Sequence, residues 1–241
     1  MKTAFVLVVC AGLLLAGNAR AQAFSPPPEW VSVKLIQTVD PVFPHQLTDA
    51  GVTEGWAHIV IDTDAKGTLV EWLVAGYSRK EFADAAVVAI KQWTVEPAKM
   101  RSEPVGTIVD VLFNFEAKGV VISTSDPGVA FDRWMSSIIG DRFTYRTYTL
   151  KDLDRIPTPL VTVKPQYPPD VANRRSGKVS VDFYIDETGA VRMPAVSASD
   201  DSELSALAVD ALKRWKFEPP LRGGRTVMVK AAQVFSFDPN K

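Results

Sequence analysis

Few residues of this 241-residue chain are of the types that perform acid–base, nucleophilic or metal chemistry. Its only histidines are His45 and His58, and its single cysteine is Cys10. A catalytic histidine needs a nucleophile or a second titratable group beside it, and a Cys/His zinc site needs four such ligands. No glycine-rich phosphate loop accompanies the histidines. We therefore predict no enzyme, no cofactor and no metal site, and no disulfide scaffold.

The charge and composition narrow the class of partner. The formal net charge is −1, with 46% hydrophobic and 23% charged residues, which is typical of a folded protein. A protein that coats nucleic acid would be strongly basic, so we predict no nucleic-acid partner. Acidic side chains outnumber basic ones over 24–120, and the reverse holds over 158–241. The basic clusters of 158–241 are either a solvated face or a surface that attracts an acidic partner.

The first 23 residues have the layout of a secretory signal peptide. Lys2 precedes an apolar run over 4–17, and small-x-small cleavage sites stand at 19–21 and 21–23. The run is shorter than the ~20 apolar residues of a membrane span. We expect export and cleavage after Ala21 or Ala23. The alternative is a retained inner-membrane anchor formed by 4–17, with the rest of the chain facing the periplasm.

Two stretches of the chain share one pattern at a spacing of 122 residues. Upstream, the spacing becomes 124, where Pro41–Pro44 aligns with Pro165–Pro168. So many matches at one spacing predict an internal repeat. The aligned pairs are Gly55 and Gly177, Asp64 and Asp186, Gly67 and Gly189, Glu81 and Glu203, Trp93 and Trp215, Pro97 and Pro219, and Phe113 and Phe235.

Each copy is predicted to form a helix, two strands, a second helix and a last strand. Val179, Val181 and Phe183 alternate with polar residues, which indicates a half-buried strand. Asp-x-x-Gly predicts a hairpin loop, in which Asp64 is a turn residue rather than a calcium ligand. Apolar residues at helical spacing follow, and Glu-Pro is expected to end each helix. The predicted first helices are 44–50 and 168–174, the second strands are 68–75 and 190–197, and the last strands are 107–115 and 227–237.

We therefore predict an α+β fold of two tandem small two-layer domains, each a three-stranded antiparallel sheet covered by two helices. Trp93 and Trp215 are expected to anchor the cores. The connector is too apolar for a flexible linker, so we expect it to pack on one domain. The predicted divisions are a signal peptide at 1–23, a first domain at 24–118, a connector at 119–157 and a second domain at 158–241.

The second copy resembles the C-terminal domain of the TonB family. Lys164–Pro168, called the proline box below, is similar to the box that precedes that domain. Gly177, Asp186 and Gly189 resemble its first strand and hairpin, and 208–219 resembles its Ala…Trp-x-Phe-x-Pro signature. The first copy resembles the family less closely, because Asp40–Pro44 replaces the proline box.

The resemblance implies a non-enzymatic periplasmic protein of TonB-dependent transmembrane transport, the family of energy transducers. Its implied partner is the TonB box, an extended segment of a TonB-dependent outer-membrane receptor, which adds to the edge of the last strand. The implied partner-binding residues are Pro165, Gln166, Tyr167, Pro168, Val227, Met228, Val229, Lys230, Ala231, Ala232, Gln233, Val234 and Phe235.

Two departures from the family leave an alternative open. The apolar run has neither Ser nor His, and only Pro26–Pro28 stands in place of a long proline-rich spacer. The resemblance therefore extends to receptor binding better than to the ExbB–ExbD motor. The alternative is a structural envelope protein whose two copies bury each other's edge strands and bind cell wall or another envelope complex without energy transduction. For the first hypothesis, Val229→Pro is expected to abolish peptide binding, and Tyr167 either contacts the partner or packs on its own domain.

Overall fold

A computed structural model describes residues 30–100, 102–125, 145–167 and 176–238 of the chain. The predicted signal peptide at 1–23 and the predicted helix at 168–174 lie outside these residues. No helix in the described ranges is long and apolar enough to cross a membrane. The helices of the described residues are α1 (His45–Asp49), α2 (Lys80–Ile90) and α3 (Ser202–Leu212), with a 3-10 turn at Leu150–Asp152.

The strands fall into two units joined by a short bridge. The first unit contains β1 (Trp30–Val31), β2 (Lys34–Gln37), β3 (Glu54–Thr63), β4 (Leu69–Tyr77), β5 (Thr94–Glu96), β6 (Ala98–Met100), β7 (Glu103–Val105), β8 (Thr107–Glu116) and β9 (Gly119–Ser125). The bridge contributes β10 (Tyr145–Arg146) and β11 (Tyr148–Thr149). The second unit contains β12 (Pro159–Val161), β13 (Gly177–Ile185), β14 (Val191–Ser199), β15 (Lys216–Phe217), β16 (Leu221–Arg222), β17 (Arg225–Thr226) and β18 (Val229–Phe237).

The two main sheets have the same central arrangement. The strand order is β10-β4-β3-β8-β9 in the first and β11-β18-β13-β14 in the second. The three predicted strands of each copy form the antiparallel core of its sheet, but the predicted strand number is wrong. The sheets have five and four strands because segments assigned to the connector pair with their edges. An edge strand carries unpaired N–H and C=O groups, and added strands satisfy them.

The hairpin loops were predicted from Asp-x-x-Gly and have that form. Asp186 Oδ1 accepts hydrogen bonds from the N–H groups of Thr188 and Ala190 at 2.9 and 3.0 Å. Asp64 Oδ1 does the same for Lys66 and Thr68, both at 2.8 Å. Gly189 has φ +85°, and a Cβ there would lie 2.0 Å from the carbonyl oxygen of Phe217. Gly67 has the same constraint, with φ +78° and the Val95 carbonyl at 2.1 Å. Only glycine fits both requirements.

The second helix of each unit ends earlier than predicted. The Asp201 side chain caps α3 by accepting from the N–H groups of Glu203 and Leu204. The prediction that Glu-Pro ends these helices is wrong, because α2 ends at Ile90 and α3 at Leu212. The residues that follow each helix instead form β5 and β15, which pair with β2 and β12 near the start of each unit.

Each unit has its own core between its sheet and its helix. Trp215 is 9% exposed and belongs to the core of the second unit, whereas Trp93 packs half-buried against that of the first. The core of the first unit includes Ile59, Ile61, Phe82, Ala86, Val111, Phe113 and Phe115. The core of the second includes Val179, Val181, Phe183, Leu204, Ala208, Leu212, Val229 and Phe235.

The two units pack on each other through the sheet faces opposite their helices. The shared buried cluster combines Val60, Leu73 and Ala75 with Tyr184, Met193 and Met228. The edge strands do not bury each other, which corrects the expectation attached to the envelope alternative. The edge of β8 pairs with β9, and the edge of β18 pairs with β11.

Charges of opposite sign meet where the units join. Arg192 of β14 forms an ion pair with Glu71 of β4. Burial and the adjacent Glu71 raise the pKa of Asp62, and Lys213 of the second unit partly opposes this shift. Some acidic side chains of the first unit therefore face cations of the second. The charge asymmetry seen in the sequence thus provides attraction between the two units.

Candidate peptide-binding edge

Strand β18 forms the edge that the resemblance singled out. It pairs antiparallel with β13, from Val229 opposite Ile185 to Phe237 opposite Gly177. The side chains of Val229, Ala231, Phe235 and Phe237 are buried in the core. Ala232, Val234 and Ser236 alternate with them and are exposed. A further strand is able to add only on the side of β18 away from β13.

The direction of the backbone groups follows from two hydrogen bonds. The Tyr148 N–H donates to the Met228 carbonyl at 2.9 Å, on the outer side of β18. The Lys178 carbonyl of β13 accepts a hydrogen bond from the Asp200 N–H, on the side of β13 that faces β14. Because the N–H and C=O groups of successive residues point to opposite sides of a strand, odd-numbered residues of β18 face β13. The outer edge is therefore formed by Met228, Lys230, Ala232, Val234 and Ser236.

Strand β11 covers the first part of this edge. It runs parallel to β18, with Tyr148 opposite Val229 and Thr149 opposite Lys230. Within the described residues, no strand pairs with the outer edge beyond Lys230. The Val234 carbonyl accepts a hydrogen bond from the Gln233 side chain at 2.8 Å. The edge open to a further strand is thus 232–236.

The open stretch lacks the usual protection of an edge strand. Natural edges are commonly guarded by charged residues, proline or bulges. Residues 231–237 contain neither charge nor proline, and their register with β13 is continuous. The opposite edge of the sheet, β14, contains Arg192 and Pro194 and has two register shifts. Of these two edges, β18 has the chemistry of a surface that accepts a strand.

The proline box reaches the far end of the same strand. The Tyr167 ring packs edge-to-face on Phe237, with centroids 5.3 Å apart. Burial raises the pKa of the Tyr167 hydroxyl, with a smaller contribution from Asp238. This geometry gives Tyr167 a packing role in the core. Gln166 is exposed beside it, Pro165 is half-buried, and Pro168 lies outside the described residues.

Several of the predicted binding residues lie away from the open edge. Met228 is buried in the cluster between the units, and the Val227 N–H donates to the Pro220 carbonyl at 3.0 Å. Val229 faces β13 and is fully buried. The expectation that Val229→Pro tests peptide binding is therefore misplaced, because this change would break the β13 pairing.

The equivalent edge of the first unit is closed. At a spacing of 122 residues, 232–236 corresponds to 110–114 of β8. Strand β9 pairs continuously with β8 from Asp110 to Glu116. The first unit therefore presents no open edge at this position.

Sequence reasoning missed a buried polar pair on the first sheet. His58 Nε2 lies 2.7 Å from Asp110 Oδ1, and both residues are buried on the face toward the second unit. Asp110 interrupts an apolar strand, but only the register of β3 and β8 brings it next to His58. The described residues contain no group of three or more potential metal ligands.

The connector residues Tyr145 and Tyr148 were also missed as contacts of the two sheets. The Tyr145 hydroxyl donates to Glu187 Oε1 at 2.7 Å, and burial, with this bond, raises the pKa of Tyr145 far above its ordinary value. Arg222 and Arg146 lie over the Tyr148 ring at 4.6 and 5.1 Å. Aromatic residues in the connector were the only sequence signal for this arrangement.

A small two-layer α+β domain with an open, uncharged sheet edge has the geometry that strand addition requires. Residues 163–239 match the family described as the Gram-negative bacterial TonB protein C-terminal. The solution NMR structure of the Pseudomonas aeruginosa TonB C-terminal domain is 32% identical over 35% of this chain and 88% of that chain, with a TM-score of 0.31. No curated protein matches the chain.

The chain belongs to the TonB C-terminal family, through its second unit. Membership indicates a TonB-type role in interaction with outer-membrane receptors. TonB C-terminal domains are non-enzymatic and act in the periplasm of Gram-negative bacteria.

Proposed function

We propose that the second unit binds the TonB box of a TonB-dependent outer-membrane receptor by strand addition at the outer edge of β18. The observation that carries this proposal is the open, uncharged edge at 232–236 in a domain of the TonB family. The protein acts without catalysis, in the periplasm, and reaches it by the signal peptide at 1–23.

The physical basis is the pairing of backbone groups. An extended peptide exchanges hydrogen bonds with the N–H and C=O groups of Ala232, Val234 and Ser236, which gives affinity without demanding a particular side-chain sequence. The side chains of Ala232 and Ser236 are small and exposed, so they leave room for the side chains of an added strand. The Gln233 amide that bonds the Val234 carbonyl moves aside when the peptide arrives.

We further propose that the first unit is a divergent copy that supports the second instead of binding a receptor. Support comes from α2 and α3, which have 11 residues each and begin 122 residues apart. The same Asp-x-x-Gly geometry in both units also supports it. The proposed divisions remain 24–118, 119–157 and 158–241, with β9 to β11 of the connector closing sheet edges.

Val234→Pro tests the receptor-binding proposal. This change removes one N–H group from the outer edge and leaves the bonds to β13 intact, while the matched control Val234→Thr keeps both shape and N–H. Calorimetric titration with TonB-box peptides from receptors of the same organism is expected to show binding by wild type and Val234→Thr. Val234→Pro should bind at least about tenfold more weakly, the factor that corresponds to 1.4 kcal/mol.

Equal binding by the proline variant would place the peptide elsewhere, and no binding by wild type would remove the proposal.

The envelope alternative gains its support from the internal strands β9 and β11, which cover sheet edges in both units. Co-sedimentation with purified peptidoglycan, together with no peptide binding, would favour that alternative.

A further inference from the structure

Residues 145–149 connect the edges of the two sheets. Tyr145 and Arg146 pair with β4 of the first sheet, and two residues later Tyr148 and Thr149 pair with β18 of the second. The bridge is thus a single strand divided between the units. Its second half lies on the edge assigned above to the receptor segment.

The half of the bridge on the first unit is firmly held. The Tyr145 ring stacks on Tyr77 of β4, with the ring centroids 5.1 Å apart and 15° between the planes. Its hydroxyl donates a hydrogen bond across to Glu187 of the second unit. The N–H and the hydroxyl of Thr147 both donate to the Ala75 carbonyl, at 2.7 and 2.9 Å. These contacts keep the following residues next to β18 at high effective concentration.

The half of the bridge on the second unit pairs with β18 over a short length. Its pairing covers only two residues of β18, and Thr149 is exposed. The Thr149 N–H bonds the Asp152 side chain, not β18. The Tyr148 N–H to Met228 carbonyl bond and the contact of Tyr148 with Arg222 attach this half to the second unit, and Leu150, directly after it, packs against the core of that unit.

The bridge and an added strand require the same backbone groups. Of the five outer-edge residues of β18, Met228 and Lys230 are covered by β11, and the remaining three are open. A peptide that pairs along the whole edge needs the two covered positions as well. It is able to begin on 232–236 and then take the place of β11.

We propose that Tyr148–Thr149 is an internal competitor of the receptor segment, which displaces it from Met228 and Lys230 on binding. This inference rests on the proposed function. In the absence of a receptor, the bridge covers a sheet edge that is otherwise unpaired. The apparent affinity of the second unit for the receptor segment is then the intrinsic affinity multiplied by the fraction of time that the edge is free. Its displacement leaves the anchored half, at Tyr145 and Thr147, on the first unit.

Tyr148→Pro, with Tyr148→Phe as its matched control, tests the proposal. The proline variant lacks the N–H that bonds Met228, while the phenylalanine variant keeps this bond and an aromatic ring over Arg222. We expect Tyr148→Pro to bind TonB-box peptides about tenfold more tightly than wild type, as when an edge covered nine-tenths of the time is freed. Tyr148→Phe should stay within about twofold. A synthetic peptide of residues 145–152 should bind Tyr148→Pro and not wild type.

A measurement on wild type needs no variant. Amide hydrogen exchange at Tyr148 should be slow in the free protein and should accelerate when TonB-box peptide is added. Exchange at Ala232 and Val234 should slow under the same conditions. Protection of Tyr148 in the bound state, or equal affinities for all three proteins, would overturn the competitor while leaving receptor binding intact. If TonB-box peptides bind no variant but the 145–152 peptide binds Tyr148→Pro, both proposals about the receptor fail, and β11 is shown only to cover an edge that accepts a strand.

Discussion

The indole N–H of Trp215 donates a hydrogen bond to the Val163 carbonyl at 2.8 Å. Trp93 makes the same bond to the Val39 carbonyl at 3.0 Å. In both units, an aromatic residue just after the helix holds the segment that leads into that unit. In the second unit this segment continues into the proline box, so the bond fixes where Tyr167 meets Phe237.

Trp215→Phe should destabilise the second unit by about 1–3 kcal/mol, since the Val163 carbonyl loses its donor and the smaller ring leaves unfilled space. Chemical unfolding followed by circular dichroism measures this loss. Trp72→Phe is the matched control, because Trp72 is 36% exposed and its ring contacts the Lys91 ammonium group 4.5 Å from the ring centroid. Its cost should stay below about 1 kcal/mol. Equal losses for the two variants would contradict the role of the Trp215 bond.

Gly189→Ala should be far more destabilising than Gly223→Ala. Both glycines have positive φ, +85° and +57°, which costs an alanine about 1–2 kcal/mol. Only at position 189 would the new Cβ meet a backbone atom, the Phe217 carbonyl at 2.0 Å. We expect about 1 kcal/mol for Gly223→Ala and about 4 kcal/mol or more for Gly189→Ala. Thermal unfolding of both variants provides the comparison, and similar midpoints would show that the Phe217 contact is unimportant.

Asp62→Asn should stabilise the protein near pH 7. Burial and Glu71 raise the pKa of Asp62 above its ordinary value of 3.8, so the folded state binds this proton more tightly than the unfolded state. The stability that this tighter proton binding gives to the folded state is fully present below pH 3.8 and is lost as the pH rises through the raised pKa of Asp62. Asparagine stays neutral and avoids this loss, so the unfolding temperature should rise by a few degrees at pH 7 and change little below pH 3.8.

Asp64→Asn is the control of opposite sign for that experiment. Hydrogen bonds from the backbone N–H of Thr68 and then of Lys66 lower the pKa of Asp64. Its ionised form therefore contributes stability above the ordinary pKa, which is lost as the pH falls through the lowered pKa. Asp64→Asn should lower the unfolding temperature at pH 7. A shift in the same direction for both variants would refute the assigned environments.

The His58–Asp110 pair should show strong coupling in a double-mutant cycle. Asp110→Leu removes a buried partner of His58 at 2.7 Å, and the single changes should each cost about 1–3 kcal/mol. The double variant His58→Leu, Asp110→Leu replaces both polar groups by apolar ones and should cost less than the sum, by about 0.5–3 kcal/mol. Unfolding free energies of the four proteins provide the test. Additive losses would mean that the pair contributes no specific interaction.

Local signals explain which parts of the fold were predictable. An Asp-x-x-Gly turn depends on side chains and φ angles within five residues, so Asp186 and Gly189 are readable from sequence. The cap at Asp201 is local in the same sense. Helix ends were less readable, because β5 and β15 gain partners in β2 and β12, about 60 residues upstream in each case. A local sequence pattern does not reveal such distant partners. Because of this pairing, both helices end earlier than predicted.

Sequence patterns were sufficient to predict the central strands, the helices that cover them, the turns between them and the family of the second unit, because alternation, helical spacing and glycine positions are properties of short segments. Which sheet edges are open became clear only from the folded chain. Edge occupancy depends on pairing between distant segments, such as β11 with β18 and β9 with β8. A two-residue strand such as Tyr148–Thr149 has no periodicity to detect, and its position follows from the contacts of Tyr145 with Tyr77 and of Thr147 with Ala75 on the other unit.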